Sequence, residues 1–419
     1  MKICVVAYKF GTEKELGEHL GTYHYFIEKM RKLVKQGHQV YVVCPWLSLT
    51  KRGSKEVDGV KIIRFWPLMV NKIWLWPINK IIRRLYIKQT QKVTLKVVKQ
   101  NSVDLVYVWQ ARESGYAIAQ IKEQLGVPFY FRQITAWQWH FKRGPEEIFA
   151  NRRWHKVLRN FGVNIILKFL LDKKSQQIFA KSIYDNADKI VFLSKAAIEE
   201  SKAFRLDQTK AVDLGVAIEE DLFKPLNRKS ELRQELGIKG EKVVLFIGRI
   251  NFAEKGIGVL LDAMQKIITE VPNSNLVIIG GGGESEWMNK LIGDLNLQNN
   301  VQAVGKKPFK DLVKYINASD VFVVPSIWME AFGQVTIEAM SCGVPVVTSD
   351  AGASPEININ GQTGFVVPVR DSVTLANSVI NILKDEALAK KLGDNARKRV
   401  LENYTYDAII NKFLEIIKN

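Results

Sequence analysis

Short runs of consecutive apolar, largely β-branched residues recur along this chain, spaced so that most of the gaps hold a helix. The first series is KICVVAY (2–8), QVYVVC (39–44), VKIIRF (60–65), DLVYVW (104–109), VPFYF (127–131) and KIVFLS (189–194). A second follows at KVVLFIG (242–248), NLVIIG (275–280), VQAVG (301–305), VFVVPS (321–326), VPVVTS (344–349) and GFVVP (364–368). Strands that are apolar throughout, rather than at alternate positions, are buried on both faces, and their alternation with helices makes neighbouring strands parallel. The pattern predicts an α/β chain of two Rossmann-like domains. Between the series, VDLGVAIEEDLFKP (212–225) is a polar connection punctuated by Gly215 and Pro225, and it sets the boundary there. No internal repeat or low-complexity tract is present.

Length and composition agree. A chain of 419 residues is too long for one ordinary core and suits two domains. Apolar residues make up 47% and charged residues 25%, the balance of a folded globular chain. Cys4, Cys44 and Cys342 stand far apart, with no CxxC pair and no nearby histidine cluster, so buried thiols in a reducing compartment are expected and a zinc site is not. The opening MKICVVAYKF lacks a small-residue cleavage site and reads as a first strand. The longest later apolar stretch, FGVNIILKFLL (161–171), falls short of the roughly 20 residues that cross a bilayer. The expectation is a cytoplasmic protein with no membrane span.

Charge is unevenly divided. Residues 1–210 hold 38 Lys and Arg against 17 Asp and Glu, a net +21, while the remainder holds 23 against 26, a net −3. Between Asp58 and Asp104 there are ten basic residues, no acidic one, and Trp66, Trp74 and Trp76 among aliphatic side chains. NRRWHKVLRNFGVNIILKFLLDKK (151–174) has the same character. Three readings fit such segments: an anionic membrane surface, a solvated face, and single-stranded nucleic acid. No recognised nucleic-acid module accompanies them, so nucleic acid is not expected and the membrane surface, through 60–100 and 151–174, is favoured.

Ligands of open parallel sheets sit beyond the carboxyl ends of the strands. Three such ends in the second series carry unusual residues. GRINFAEKG puts Arg249 and Lys255 on one loop, two cations suited to a diphosphate. GGGGE (280–284) lets backbone approach a ligand closely. PSIWMEAFGQVTIEAMSCGVPVV (325–347) opens a helix near Gly333, so the unpaired N–H groups of Phe332, Gly333 and Gln334 make a phosphate cradle. Glu338, just over a turn into that helix, is placed to accept bonds from ribose hydroxyls, and Glu330, ahead of it, from a sugar. Taken singly, each glutamate is also explained as a surface or helix-start acid.

Together GRINFAEKG, GGGGE, the Glu330 to Glu338 stretch and GQTGFVV (361–367) resemble the carboxyl-terminal domain of the retaining glycosyltransferases of family 4, whose mark is glutamate, seven residues, glutamate. GTYHYFIEKMRKLVKQGHQV (21–40) and NADKIVFLSKAAIEE (186–200) extend the resemblance into the first half, where His38 belongs to a Gly-His strand entry. It implies a GT-B fold, two Rossmann-like parallel-sheet domains facing each other across a cleft. The domains are then 1–210, basic, acceptor-binding and membrane-facing; 211–395, which binds the nucleotide sugar; and 396–419, a helix crossing back. The resemblance implies that Arg249 and Lys255 hold the diphosphate and stabilise its departing charge without a metal, and that Glu330 acts with them. Glu330 with the amides of Phe332, Gly333 and Gln334 holds sugar and distal phosphate, Glu338 holds ribose, Lys306 lies near the base, and Gly21 permits close approach from the first domain. Gly248, Gly281, Gly282 and Glu284 complete the donor set.

The sequence departs from the family in three places. The Arg249 to Lys255 spacing is one residue longer than usual, and Leu20 precedes Gly21 where a further glycine is common. After VPFYF, a frequent histidine is replaced by RQITAWQWH, leaving Arg132, Gln133, Thr135 or His140 for that place near sugar and acceptor. The implied reaction moves a sugar from a UDP- or GDP-linked donor to an acceptor hydroxyl with retention, the leaving diphosphate assisting deprotonation and no cofactor taking part. A lipid-linked acceptor of cell-envelope polysaccharide assembly, with the enzyme peripheral on the inner membrane face, is expected. A nucleotide-sugar epimerase or hydrolase, and a non-catalytic membrane- or nucleic-acid-binding protein, are the alternatives.

Overall fold

The computed structural model describes residues 1–12, 20–48, 53–67, 76–109, 112–134, 173–202 and 207–418. Its chain divides into two units, Met1–Leu214 with Lys412–Asn419, and Gly215–Asn411.

The first unit is built on strands β1 (Lys2–Ala7), β2 (Gln39–Pro45), β3 (Lys55–Val57), β4 (Val60–Phe65), β5 (Leu105–Trp109), β6 (Phe129–Arg132), β7 (Lys189–Phe192) and β8 (Ala211–Asp213). Their order is β3-β4-β2-β1-β5-β6-β7-β8. All neighbours pair parallel except β3 and β4. That hairpin closes through Asp58 (φ 52°) and Gly59 (φ 77°), the left-handed pair a two-residue turn requires. The central strands are buried at almost every position, as both-faces coverage demands. The apolar runs predict six of these strands and miss β3 and β8, whose three residues are too few to carry a period. Because β8 pairs with β7, the first unit extends to Leu214, past the boundary at 210.

In the second unit β9 (Lys242–Ile247), β10 (Ser274–Ile279), β11 (Val301–Gly305), β12 (Val321–Val324), β13 (Val346–Ser349) and β14 (Gly364–Val367) form one parallel sheet. Its order is β11-β10-β9-β12-β13-β14. The helix Ile257–Glu270 and the helix Ser372–Lys384 bury Leu260, Leu261, Met264, Leu375 and Val379 in a core shared with Val244, Phe246, Leu276 and Val323.

The helix Glu386–Asn403 stays with the second unit, so the crossing lies beyond the position of 396 read from sequence. The division falls inside the last helix, Tyr406–Lys418, whose end packs in the first unit. There Phe413 meets Tyr107 at 4.9 Å, and the Lys29 ammonium lies 4.2 Å from the Phe413 ring centre. Burial, and then the Arg132 charge, push Lys29 well below the usual lysine range. Among the described residues, no helix is long and apolar enough to cross a membrane. The basic stretch 151–172 and Trp74 lie outside the described residues.

Candidate functional site

Counted within its own unit, the second sheet runs 3-2-1-4-5-6, so connections leave β9 and β12 in opposite directions. A crevice opens beyond the carboxyl ends of two such strands, and ligands of doubly wound sheets bind there. The loops that follow β9 and β12 carry Arg249, Lys255 and Glu330.

After β9, the Asn251 side chain caps the short helix Phe252–Lys255, accepting from the Glu254 amide at 3.1 Å. Glu254 is buried and accepts from Arg249 Nη2 at 3.0 Å, which aims the otherwise exposed guanidinium. The Glu254 carbonyl accepts from the amides of Ile327 at 2.9 Å and Trp328 at 3.1 Å, tying this loop to the one after β12. Gly256 ends the short helix at φ 64°, and a Cβ there would stand 1.8 Å from the Pro325 carbonyl oxygen. With the loops locked together, Lys255 Nζ donates to Glu330 Oε1 in a hydrogen-bonded ion pair. Ser326 Oγ donates to the same oxygen at 2.5 Å. Both recorded bonds thus fall on Oε1. The Glu330 carbonyl accepts from Ala353 N at 2.8 Å, and at Gly352 a Cβ would come within 2.4 Å of that oxygen.

The helix that follows is Gln334–Ser341, with Gly333 at its amino end in the left-handed region (φ 91°). Among the described residues no backbone acceptor is recorded for the amides of Phe332, Gly333 or Gln334. Phe332 is itself buried, edge-on to Tyr404 at 5.6 Å, which anchors the turn. Glu338 is 3% exposed, so it is not a solvated helix residue. Burial, and then the nearby Glu338 charge, drive the Cys342 thiol far above its ordinary value, leaving it inert.

The glycine run is close-packed against its own chain. A Cβ at Gly280 would lie 1.7 Å from the Gly248 carbonyl oxygen, and one at Gly282 2.3 Å from that of Ile250. The same strand ends exchange bonds from Gly248 N to Ile279 O (2.9 Å) and Ile250 N to Gly281 O (3.2 Å). At Gly281 a Cβ would meet the Lys306 stem at 3.0 Å. Backbone packing alone therefore requires Gly280 and Gly282. Glu284, assigned to the donor from sequence, accepts from Phe252 N at 2.7 Å and so holds the cationic loop. Glu284→Ala is expected to cost about 1.5–3 kcal/mol, the scale of a lost hydrogen bond to a charged group. Its urea midpoint falls while nucleoside diphosphate affinity changes less than threefold. A large affinity loss at unchanged stability would instead make Glu284 a donor contact.

The sequence does not single out Glu254, Ser326 or Gly352. Only Glu254 has a local signal, the Asn-x-x-Glu spacing of a helix start. In the first unit, Gly21 is the second residue of the helix Leu20–Lys35. Arg132 ends β6, Gln133 follows it, and both are buried: Arg132 Nη1 donates to Phe192 O at 3.1 Å, with its guanidinium 5.7 Å from the Trp109 ring centre. Burial lowers the Arg132 pKa. Thr135 and His140 lie outside the described residues.

Residues 228–399 match the model of the family described as glycosyl transferases group 1. This segment is a group 1 glycosyl transferase domain. It takes in every second-unit residue assigned to the donor from sequence. The chain is 32% identical over 242 residues to an uncharacterized glycosyltransferase of Methanocaldococcus jannaschii, covering 57% of this chain. It is 27% identical over 233 residues to the GDP-mannose-dependent alpha-(1-6)-phosphatidylinositol monomannoside mannosyltransferase of Mycolicibacterium smegmatis, covering 54% of this chain. In each case the match spans 61% of the relative's length. The sucrose-phosphate synthase of Thermosynechococcus elongatus shares the fold of the whole chain, with a TM-score of 0.74, 22% identity and coverage of 100% of this chain and 98% of its own. The group 1 domain is thus one half of a GT-B chain with two parallel-sheet α/β units.

Proposed function

We propose that this protein transfers a hexose from a UDP- or GDP-linked donor to an acceptor hydroxyl, with retention of configuration and without a metal. The observation that carries the proposal is the convergence of Arg249, Lys255 and Glu330 beyond β9 and β12, beside the open amides at 332–334. Arg249 and Lys255 meet the two phosphates. As the bond between anomeric carbon and phosphate oxygen breaks, they neutralise the charge that develops on the leaving diphosphate, work otherwise done by a cation. Glu330 and the helix amides orient sugar and distal phosphate, Glu338 the ribose, and Lys306 the side near the base. The leaving phosphate takes the acceptor's proton on the face it vacates, so no protein nucleophile is needed.

The acceptor is proposed to be lipid-linked, a cell-envelope glycan precursor at the inner face of the membrane, reached from the basic first unit. The name of the Mycolicibacterium relative, a mannosyltransferase of a phosphatidylinositol lipid, supports a lipid acceptor. A melting-temperature panel of UDP, GDP and their sugars tests the donor reading. At a hundredfold excess over Kd the matching nucleotide contributes about 2.7 kcal/mol. No shift with any diphosphate overturns the proposal. Sugar isomerised, or released to water as fast as it is transferred, would replace it with the epimerase or hydrolase reading.

A further inference from the structure

The helix Trp76–Asn101 contains no acidic residue. Tyr86, Thr90, Thr94, Val97 and Val98 face inward and are buried, Tyr86 against Phe65 at 5.5 Å. Among its described side chains, those exposed are Ile81, Arg84, Lys88, Lys92, Lys96, Lys99 and Gln100. Arg84, Lys88, Lys92 and Lys96 stand four apart, which sets them side by side in one ridge, and like charges at that spacing oppose helix formation. Among the described residues no carboxylate pairs with any of the five exposed cations, whereas neighbouring Arg83 pairs with Glu113 at 3.5 Å. Ile81, at the amino end of the ridge, is 61% exposed, and Trp66 (49% exposed) follows Phe65, whose ring packs on this helix at Tyr86.

We propose that this ridge docks the first unit on an anionic lipid bilayer, the helix lying along the surface with Trp66 and Ile81 entering the headgroup layer. The inference deepens the acceptor reading above and rests on it for why the enzyme should be there. From Arg84 to Lys99 the ridge spans about 22 Å of straight helix, which meets a flat charged plane along its whole length. Each cation near such a surface is worth roughly fivefold in partition, and the indole and aliphatic side chains add apolar contact at the boundary. Single-stranded nucleic acid fits less well, because its bases need exposed aromatic platforms between the cations, and among the described side chains of this helix the one aromatic, Tyr86, is buried on the opposite face.

The test sediments the full-length protein with vesicles of phosphatidylcholine and phosphatidylglycerol at 3:1, and with phosphatidylcholine alone. Expected is capture by the mixed vesicles at low ionic strength, release at 0.5 M salt, and little capture by the neutral ones. Lys88→Gln with Lys92→Gln lowers the partition coefficient roughly 25-fold. The independent pair Lys96→Gln with Lys99→Gln lowers it by a similar factor, so a folding fault in one variant does not decide the matter. Lys88→Arg with Lys92→Arg keeps binding. The melting shift given by nucleoside diphosphate is the same in all these variants, so loss of vesicle binding and loss of donor binding are told apart. Absent capture, wild-type partition in both glutamine pairs, or displacement of protein from vesicles by a single-stranded oligonucleotide whose binding needs the same lysines overturns the proposal.

Discussion

Lys255→Ala is expected to cut kcat by about 10²–10³-fold at saturating donor, the scale of removing one preorganised charge from a developing oxyanion. The residue is placed for this by tertiary contacts. Its helix ends at Gly256 against Pro325, and its ammonium already reaches Glu330 Oε1. In the absence of donor that ion pair keeps the cation at the crevice. A diphosphate arriving there offers more negative charge than one carboxylate and takes over the ammonium. Arg249→Ala should lower kcat as strongly and cost stability too, because Glu254 is 3% exposed and loses its guanidinium. Lys255→Arg should recover part of the rate, since charge is kept while position changes. Initial rates with the donor found by the melting panel are the measurement. A kcat for Lys255→Ala within twofold of wild type removes the cationic loop from the mechanism.

Gly256→Ala is expected to be among the most damaging single-methyl changes in the second unit. Two costs combine there. A left-handed alanine costs about 1–2 kcal/mol. A Cβ placed 1.8 Å from the Pro325 carbonyl oxygen forces one of two loops to move, roughly 1–3 kcal/mol more. For a unit of this size each kcal/mol lowers Tm by about 2–4 °C, so a fall of roughly 4–20 °C is expected. Activity should vanish along with stability, because the displaced segments carry Lys255 on one side and Ser326 on the other. Gly293, inside the helix Ser285–Asp294 with open space where a Cβ would go, is the control. Gly293→Ala should be neutral or stabilise by up to about 1 kcal/mol. Thermal unfolding of both variants checks the pair, and equal Tm values would refute the packing argument.

Much of this was legible from local pattern. An apolar run of four to seven residues announces a buried parallel strand, because the hydrogen-bond ladder leaves the side chains only two covered faces to enter. All twelve strands predicted from such runs are present. The residues beyond β9 and β12 were also legible, since paired cations, a helix opening on glycine and spaced glutamates are short-range signals. The glycine run carries a second requirement that its composition does not show. Its composition suggests ligand approach, and Gly280 and Gly282 are in addition demanded by the Gly248 and Ile250 carbonyls of another strand's loop. Glu284 likewise turned out to hold the Phe252 amide.

The sequence by itself determined where all but the two three-residue strands of the described residues form, that there are two of these sheets, and which loops bear charge. Each of those follows from neighbours within about ten residues. Only the tertiary structure decided that β9 lies beside β12, so that Lys255 meets Glu330 although 75 positions separate them. It alone decided that Glu254 is buried and orients Arg249, and that five cations of one helix share a single exposed ridge. The reason is physical: backbone ladders are chemically alike in every parallel pair, so strand order is chosen by which packing buries the helices and satisfies loop ends together, a condition of the whole core that no short stretch of chain contains.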